Sequence, residues 1–303
     1  MTNGAAFQVP GRRQLIVGLL VLALVLVVVY LTWVSTTWGH SLDNDAYFRA
    51  RESARLVVEA DKELLDKIRR PTLGLALAVM IVVGLVRRAV SVGLIAVVGV
   101  TVAVAGAEIL KGTLPWTDLV PSDAALGARL QAESYPSGHS TIATSVALAA
   151  VMLVPVAWRA WSGVVAGLAT ATVATSVVIA GWHRPSDALG GVCWAGLVMG
   201  IAALVAFKVR GPQSEPQNRK HNGAALVGSL IAAVAFYVAL WILAARTSFD
   251  YPDANFSFLS TMAAIVIAAF SVTAWFADSL RNAAWQAPSN VQPHEGLQPL
   301  ENA

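Results

Sequence analysis

The chain has 303 residues, 56% of them hydrophobic and only 13% charged, with a mean hydropathy of +0.64. Soluble domains carry about 25% charged residues, so this composition argues against a soluble protein. The net charge of +3 and pI near 9.2 do not describe a nucleic-acid partner either. Arg12, Arg13, Arg87, Arg88, Arg159, Lys208, Arg210, Arg219, Lys220 and Arg281 form no single patch but stand at the ends of apolar runs, where they read as topology signals.

The apolar residues cluster in runs of about 20, the length a helix needs to cross ~30 Å of hydrocarbon. In lipid the backbone must satisfy its own hydrogen bonds, so such runs are helices. The expected fold is an all-α integral membrane protein. In chain order, Arg12-Arg13 precede a run from 14 to 34 that is longer than a signal core and lacks a small-x-small cleavage site. It reads as a retained anchor. The segment 35–71 is too polar to span, with seven basic and seven acidic residues. Tyr47, Ala50, Ala54, Val57, Leu64 and Ile68 recur at helical spacing. An amphipathic helix on the outer membrane surface fits; the alternative is a small helical cap over the mouth of a site.

Further runs fall at 72–86, 89–110, 139–157, 161–181, 187–208, 224–244 and 259–279, giving eight spans. They divide into a six-helix core over 1–208, a linker at 209–223 and two additional helices within 224–280. The tail 281–303 has no periodicity and is expected to be disordered. The basic turns at Arg87-Arg88 and Arg159, the linker and the Arg12-Arg13 start belong on the cytoplasmic side. Alternation then places 35–71, 111–138, 182–186 and 245–258 outside, with both termini cytoplasmic. Asn255-Phe256-Ser257 matches a glycosylation sequon on that outer side. Cys193, the single cysteine, lies within a span, so neither a disulfide framework nor a cysteine metal site is available.

Pro136-Ser137-Gly138-His139 stands where an apolar run begins. The first N–H groups of a helix have no internal partners and, with the macrodipole, form an anion site. Gly138 admits a ligand close to the backbone, Ser137 adds a donor, and His139 is placed to protonate a departing alkoxide. An ordinary capped helix with an interfacial histidine is the bland alternative. His183 follows the fifth run on the same side of the membrane, and Asp187 comes four residues later. A carboxylate that accepts one ring N–H fixes the tautomer and frees the other nitrogen as a nucleophile. Lys111 ends the third run on that side and can offer a positive charge to a phosphate, with Glu108 one turn earlier as its partner.

A lysine loop, a Pro-Ser-Gly-His box and a later His-x-x-x-Asp, each at the outer end of a span, resemble the type 2 phosphatidic acid phosphatase superfamily. The resemblance covers about 72–208 plus the first span. It implies His183 as nucleophile through a phosphohistidine, Asp187 as its partner and His139 as general acid. It further implies Lys111, Ser137 and Gly138 as phosphate ligands, with no metal or other cofactor. Ser176, seven residues before His183, matches the start of the third family signature. Two signature arginines are missing: Asp118 and Leu119 occupy the place of an Arg-Pro pair, and Val177 that of the arginine after Ser176. Hydrogen bonds to charged groups are worth about 1.5–3 kcal/mol each. Losing two in a transition state would slow a reaction roughly a hundred- to ten-thousandfold. Arg184, beside the expected nucleophile, is the candidate replacement, with Arg129 second.

The expected protein is a multi-pass plasma-membrane phosphatase whose site is extracytoplasmic. Its partners are the lipid bilayer and a substrate such as a lipid phosphate or polyprenyl pyrophosphate. Phosphatidic acid and phosphatidylglycerol phosphate are further substrate types that the resemblance implies. The alternatives are a catalytically silent phospholipid- or partner-binding protein of the same fold, and a transferase passing phosphate to an acceptor other than water.

Overall fold

The computed structural model describes residues 10–51, 55–68, 70–115, 134–210, 219–245 and 252–285. Within them are ten α-helices and no strand. α1 (Pro10–Val29) runs into a π-helical turn at Tyr30–Val34 and is followed by α2 (Thr37–Arg51) and α3 (Arg55–Asp66). α4 (Arg70–Val86), α5 (Val90–Thr113), α6 (Gly138–Leu153), α7 (Val156–Ile179) and α8 (Pro185–Arg210) come next. α9 (Arg219–Ala245) and α10 (Pro252–Ser279) complete the bundle.

All eight apolar runs are helical, but they differ in length. Six helices, α1 with its π turn, α5, α7, α8, α9 and α10, are each long and apolar enough to cross a membrane alone. α4 has 17 residues and α6 only 16. The run expected at 139–157 stops at Leu153 because Pro155 has no N–H to continue the ladder. Its fixed φ instead starts α7, in which Arg159 sits buried rather than in a turn.

α8 lies at the centre, packed against α1, α5, α6, α7 and α10, and is buried on almost every face. A helix hydrophobic all round belongs inside a bundle, and glycines and alanines along α8 let its neighbours approach closely. The last helix is not peripheral. α10 packs against α7, α8 and α2, and Met262, Ile265, Ala269, Phe270 and Phe276 are buried there.

Basic side chains tie the ends together at the pole away from Lys111. Arg87 donates to the Leu153 carbonyl, and Arg210 reaches the Ser91 hydroxyl at 2.7 Å. Arg159 donates to the carbonyls of Leu280, of Ala283 at 2.8 Å and of Val154 at 3.2 Å. Trp285 covers its guanidinium and donates to the Met152 carbonyl at 2.9 Å. The first residues of the tail are thus packed; 286–303 lie outside the described residues.

Within the segment expected to form a surface helix over 47–68, the described residues are helical in α2 and α3; 52–54 lie outside the described residues. Ala46, Tyr47 and Ala50 of α2 are buried against α10, α7 and α8, and α3 packs on α7. Segment 35–71 therefore sits over the bundle end that carries His183, the cap arrangement, and not flat beside it. The Asn255 side chain of the sequon accepts a hydrogen bond from buried Arg49.

Candidate active site

The backbone at Tyr135-Pro136 is cis and leads into Ser137, which is extended at φ −62° and ψ 123° and caps α6. Ser137 Oγ accepts from the Ser140 N–H at 3.4 Å. The Ser137 N–H donates to the Asp187 carbonyl at 2.8 Å, fastening the start of α6 to the start of α8. Two adjacent glycines of α8 make that approach possible. A Cβ on Gly190 would enter the Tyr135 ring, and one on Gly191 would stand 2.6 Å from the Ser137 carbonyl oxygen.

His183 lies in the turn between α7 and α8, after Gly181 at φ 70°, a conformation that glycine adopts without strain. Its Nδ1 faces Asp187 Oδ2 at 3.5 Å, longer than a formed hydrogen bond. The same Oδ2 accepts from the Ser134 hydroxyl at 2.5 Å and from the Arg184 N–H at 3.0 Å. Asp187 thus accepts from two donors and faces the His183 ring from a buried position, and Nε2 is the ring nitrogen left for chemistry. Ser134 had no sequence signal; it lies two residues before the box and acts only through the fold.

His139 and His183 line one cleft of about 830 Å³ together with Lys111 and Gly138. The Trp182 ring stands edge-on to His139, 5.2 Å between centroids. Lys111 Nζ pairs with Glu108 at 2.6 Å, and a Cβ on Gly138 would come within 3.2 Å of that ammonium. Glu108 Oε1 stands 3.0 Å from the same point, so the absent side chain at Gly138 leaves space between the Lys111–Glu108 pair and the start of α6, where a helix N-terminus and the lysine favour an anion. The remaining wall is formed by Leu65, Ile68, Leu73, Val104 and Ile142, with one carboxylate, Asp66, among them.

Two expected phosphate ligands are placed elsewhere. The Arg184 guanidinium donates through Nε to Asn44 of α2 at 3.1 Å, and the residue is buried away from the cleft lining. Its contribution to the site is the main-chain N–H given to Asp187. Ser176 donates to Asp61 of α3 at 2.7 Å, holding the cap and not a ligand. Val177, at the place of a signature arginine, is fully buried, and its carbonyl accepts from Trp182 and His183. Asp118, Leu119 and Arg129 lie outside the described residues. Among the described residues, Lys111 is the one cation that lines the cleft.

Residues 74–210 match the family model of the PAP2 superfamily. That stretch of the chain is similar to the PAP2 superfamily. The matched stretch includes Glu108, Lys111, Gly138, His139 and His183 of the cleft, together with Ser137 and Asp187 behind it, but not Asp66. The PAP2 segment begins inside α4 and ends with α8, so α1 to α3, α9 and α10 lie outside it. Neither the curated proteins nor the solved structures compared with the chain gave a match.

Proposed function

We propose that the protein hydrolyses a lipid phosphomonoester or pyrophosphate through a phosphohistidine at His183. The observation that carries this reading is the convergence of His183, His139, Lys111 and Gly138 on one cleft, with Asp187 behind His183. The phosphate sits between Lys111 and the first N–H groups of α6. His183 Nε2 attacks phosphorus as the bond to the leaving oxygen breaks, and His139 gives that oxygen its proton. Asp187 stabilises the positive charge that grows on the His183 ring. Water then attacks the phosphohistidine, His139 takes its proton, inorganic phosphate leaves, and both histidines are restored.

The apolar side chains of the wall support a lipid. Leu65, Ile68, Leu73, Val104 and Ile142 line the cleft beside the two histidines; a separate apolar groove lies further along α4 and α6, lined by Leu75, Val79, Met80, Val146 and Ala150. A substrate with its phosphate at His183 can lay the start of its chain against those apolar side chains of the cleft. The basic residues at the opposite pole favour a cytoplasmic position for that end, and hence an extracytoplasmic site. Brief reaction with a ³²P-labelled lipid phosphate, acid-sensitive and base-stable label on the protein, and its mapping to His183 test the intermediate. Label absent from wild type under rapid quench, or unaffected by His183→Ala, contradicts it.

One observation favours a second reading, a silent lipid-binding protein. Lys111 is already paired with Glu108, and Arg184 is turned to Asn44. Substrate binding with no phosphate release from wild-type protein would select it.

A further inference from the structure

We infer that α2 is a built-in clasp for the turn that carries His183, with Asp43, Asn44 and Tyr47 acting as positioning residues. The inference rests on the reaction proposed above, because it assigns to these residues the aim of the proposed nucleophile. Tyr47 Oη donates to the Gly181 carbonyl at 3.0 Å. Asn44 Oδ1 accepts from Arg184 Nε at 3.1 Å. Asp43 Oδ1 accepts from the Ser186 N–H at 3.1 Å. The three bonds bracket His183, two residues before it, one after and three after. Positions 43, 44 and 47 share one face of a helix by their spacing, so a single element delivers all three.

The clasp addresses a local need. The first N–H groups of α8 lack helical partners, and a side chain at the cap usually supplies the acceptor. Here Asp187 already serves Ser134 and the Arg184 N–H while facing His183. Asp43 takes over the Ser186 N–H from another helix. Both residues are buried, so that N–H would otherwise stand without water or partner, which is destabilising. The turn from Ala180 to Arg184 has no regular ladder of its own, and among the described residues His183 Nδ1 has no polar partner closer than Asp187. The ring's direction is therefore set by what holds the turn on either side. α2 lies outside the matched PAP2 segment, so this device belongs to the part of the chain added in front of it.

The test uses the full-length protein in nanodiscs, with Asp43→Ala, Asp43→Asn, Tyr47→Phe and His183→Ala beside wild type. Initial rates on a dispersed lipid phosphate give kcat and KM separately. Hydrogen exchange of peptides covering 180–190 reports on the turn without needing turnover. Misplacement of a reacting group by about 1 Å can slow a step about a hundredfold. Asp43→Ala is therefore expected to lower kcat by roughly ten- to a hundredfold, with KM within about twofold, and to raise exchange at 181–187. Asp43→Asn keeps the acceptor oxygen and is expected to restore most of kcat. Tyr47→Phe keeps the ring and is expected to show a smaller fall of the same kind. A residue that only stabilised the fold would not lower kcat in protein of wild-type exchange elsewhere, nor be rescued by the amide. Wild-type kcat and exchange in Asp43→Ala and Tyr47→Phe, beside an inactive His183→Ala, overturn the clasp and leave the function standing. No turnover in wild type overturns the function. The exchange data then decide the clasp alone: unchanged exchange overturns it, and raised exchange supports it.

Discussion

Asp187 is the residue on which the site's geometry turns, because one carboxylate oxygen meets the Ser134 hydroxyl, the Arg184 N–H and the His183 ring. A hydrogen bond to a charged group is worth about 1.5–3 kcal/mol. Ser134→Ala is thus expected to reduce kcat about ten- to a hundredfold with little change in KM, checked by initial rates at saturating lipid. Asp43 gives a prediction of a different kind. Burial, with a smaller contribution from the nearby Asp187 carboxylate, raises its pKa to about 7, against the opposing influence of Ser186 and Arg184. The folded protein then holds a proton that the unfolded chain releases near pH 4. The stability linked to that proton is fully present below pH 4 and is lost as pH rises through 7. Thermal unfolding in detergent is expected to show a lower Tm at pH 8 than at pH 5, with the difference reduced in Asp43→Asn. His139, His183, Asp187, Lys111, Ser137 and Gly138 were legible as letters at span ends, since their chemistry and spacing are local. Ser134, Asp43 and Asn44 were not. Each acts across a distance in sequence that only the packing of α2, α6 and α8 closes. Arg184 was legible for its charge, but its direction was decided by Asn44.

At the scale of elements, the start of α6 is held where two glycines of α8 allow it. Gly191→Ala is expected to push the Ser137 carbonyl away, since the new Cβ would stand 2.6 Å from it. Overpacking of this kind destabilises by about 1–3 kcal/mol. The predicted result is a lower Tm together with lost phosphate binding, measured by inorganic vanadate protection of the fold. Periodicity located every apolar helix but not the lengths of the short ones, where Pro155 ended α6 early. It was also blind to which helices the residues of α2 and α3 would meet. The Tyr47 counted toward an apolar stripe spends its hydroxyl on Gly181. Arg159 looked like a turn residue from its charge. Burial beneath Trp285, with three carbonyl acceptors, makes it a staple between α7 and the end of α10. Arg159→Ala is expected to lower Tm and increase proteolysis after residue 280, followed by limited digestion.

Among the described residues, the two ends of the bundle carry different side chains. One pole gathers Arg87, Arg159 and Arg210, and the other holds the cleft. The composition announced a membrane protein at once, because no soluble fold tolerates so many exposed aliphatic side chains. It could not announce that α10 belongs to the core, since a helix buried by helices and one bathed by lipid have the same apolar letters. The cleft sets apolar side chains beside its histidines and lysine, so the whole-molecule expectation is a preference for phosphates that carry a chain. kcat/KM for a long-chain lipid phosphate should exceed that for a short soluble phosphomonoester, compared at equal bulk concentration below saturation. The most direct test of the central claim is phosphate release by the purified protein from a panel of lipid phosphates and polyprenyl pyrophosphates, beside His183→Ala. Release by wild type that disappears in His183→Ala is the predicted result. Release that survives the substitution, or none from folded wild-type protein on any member of the panel, would contradict it.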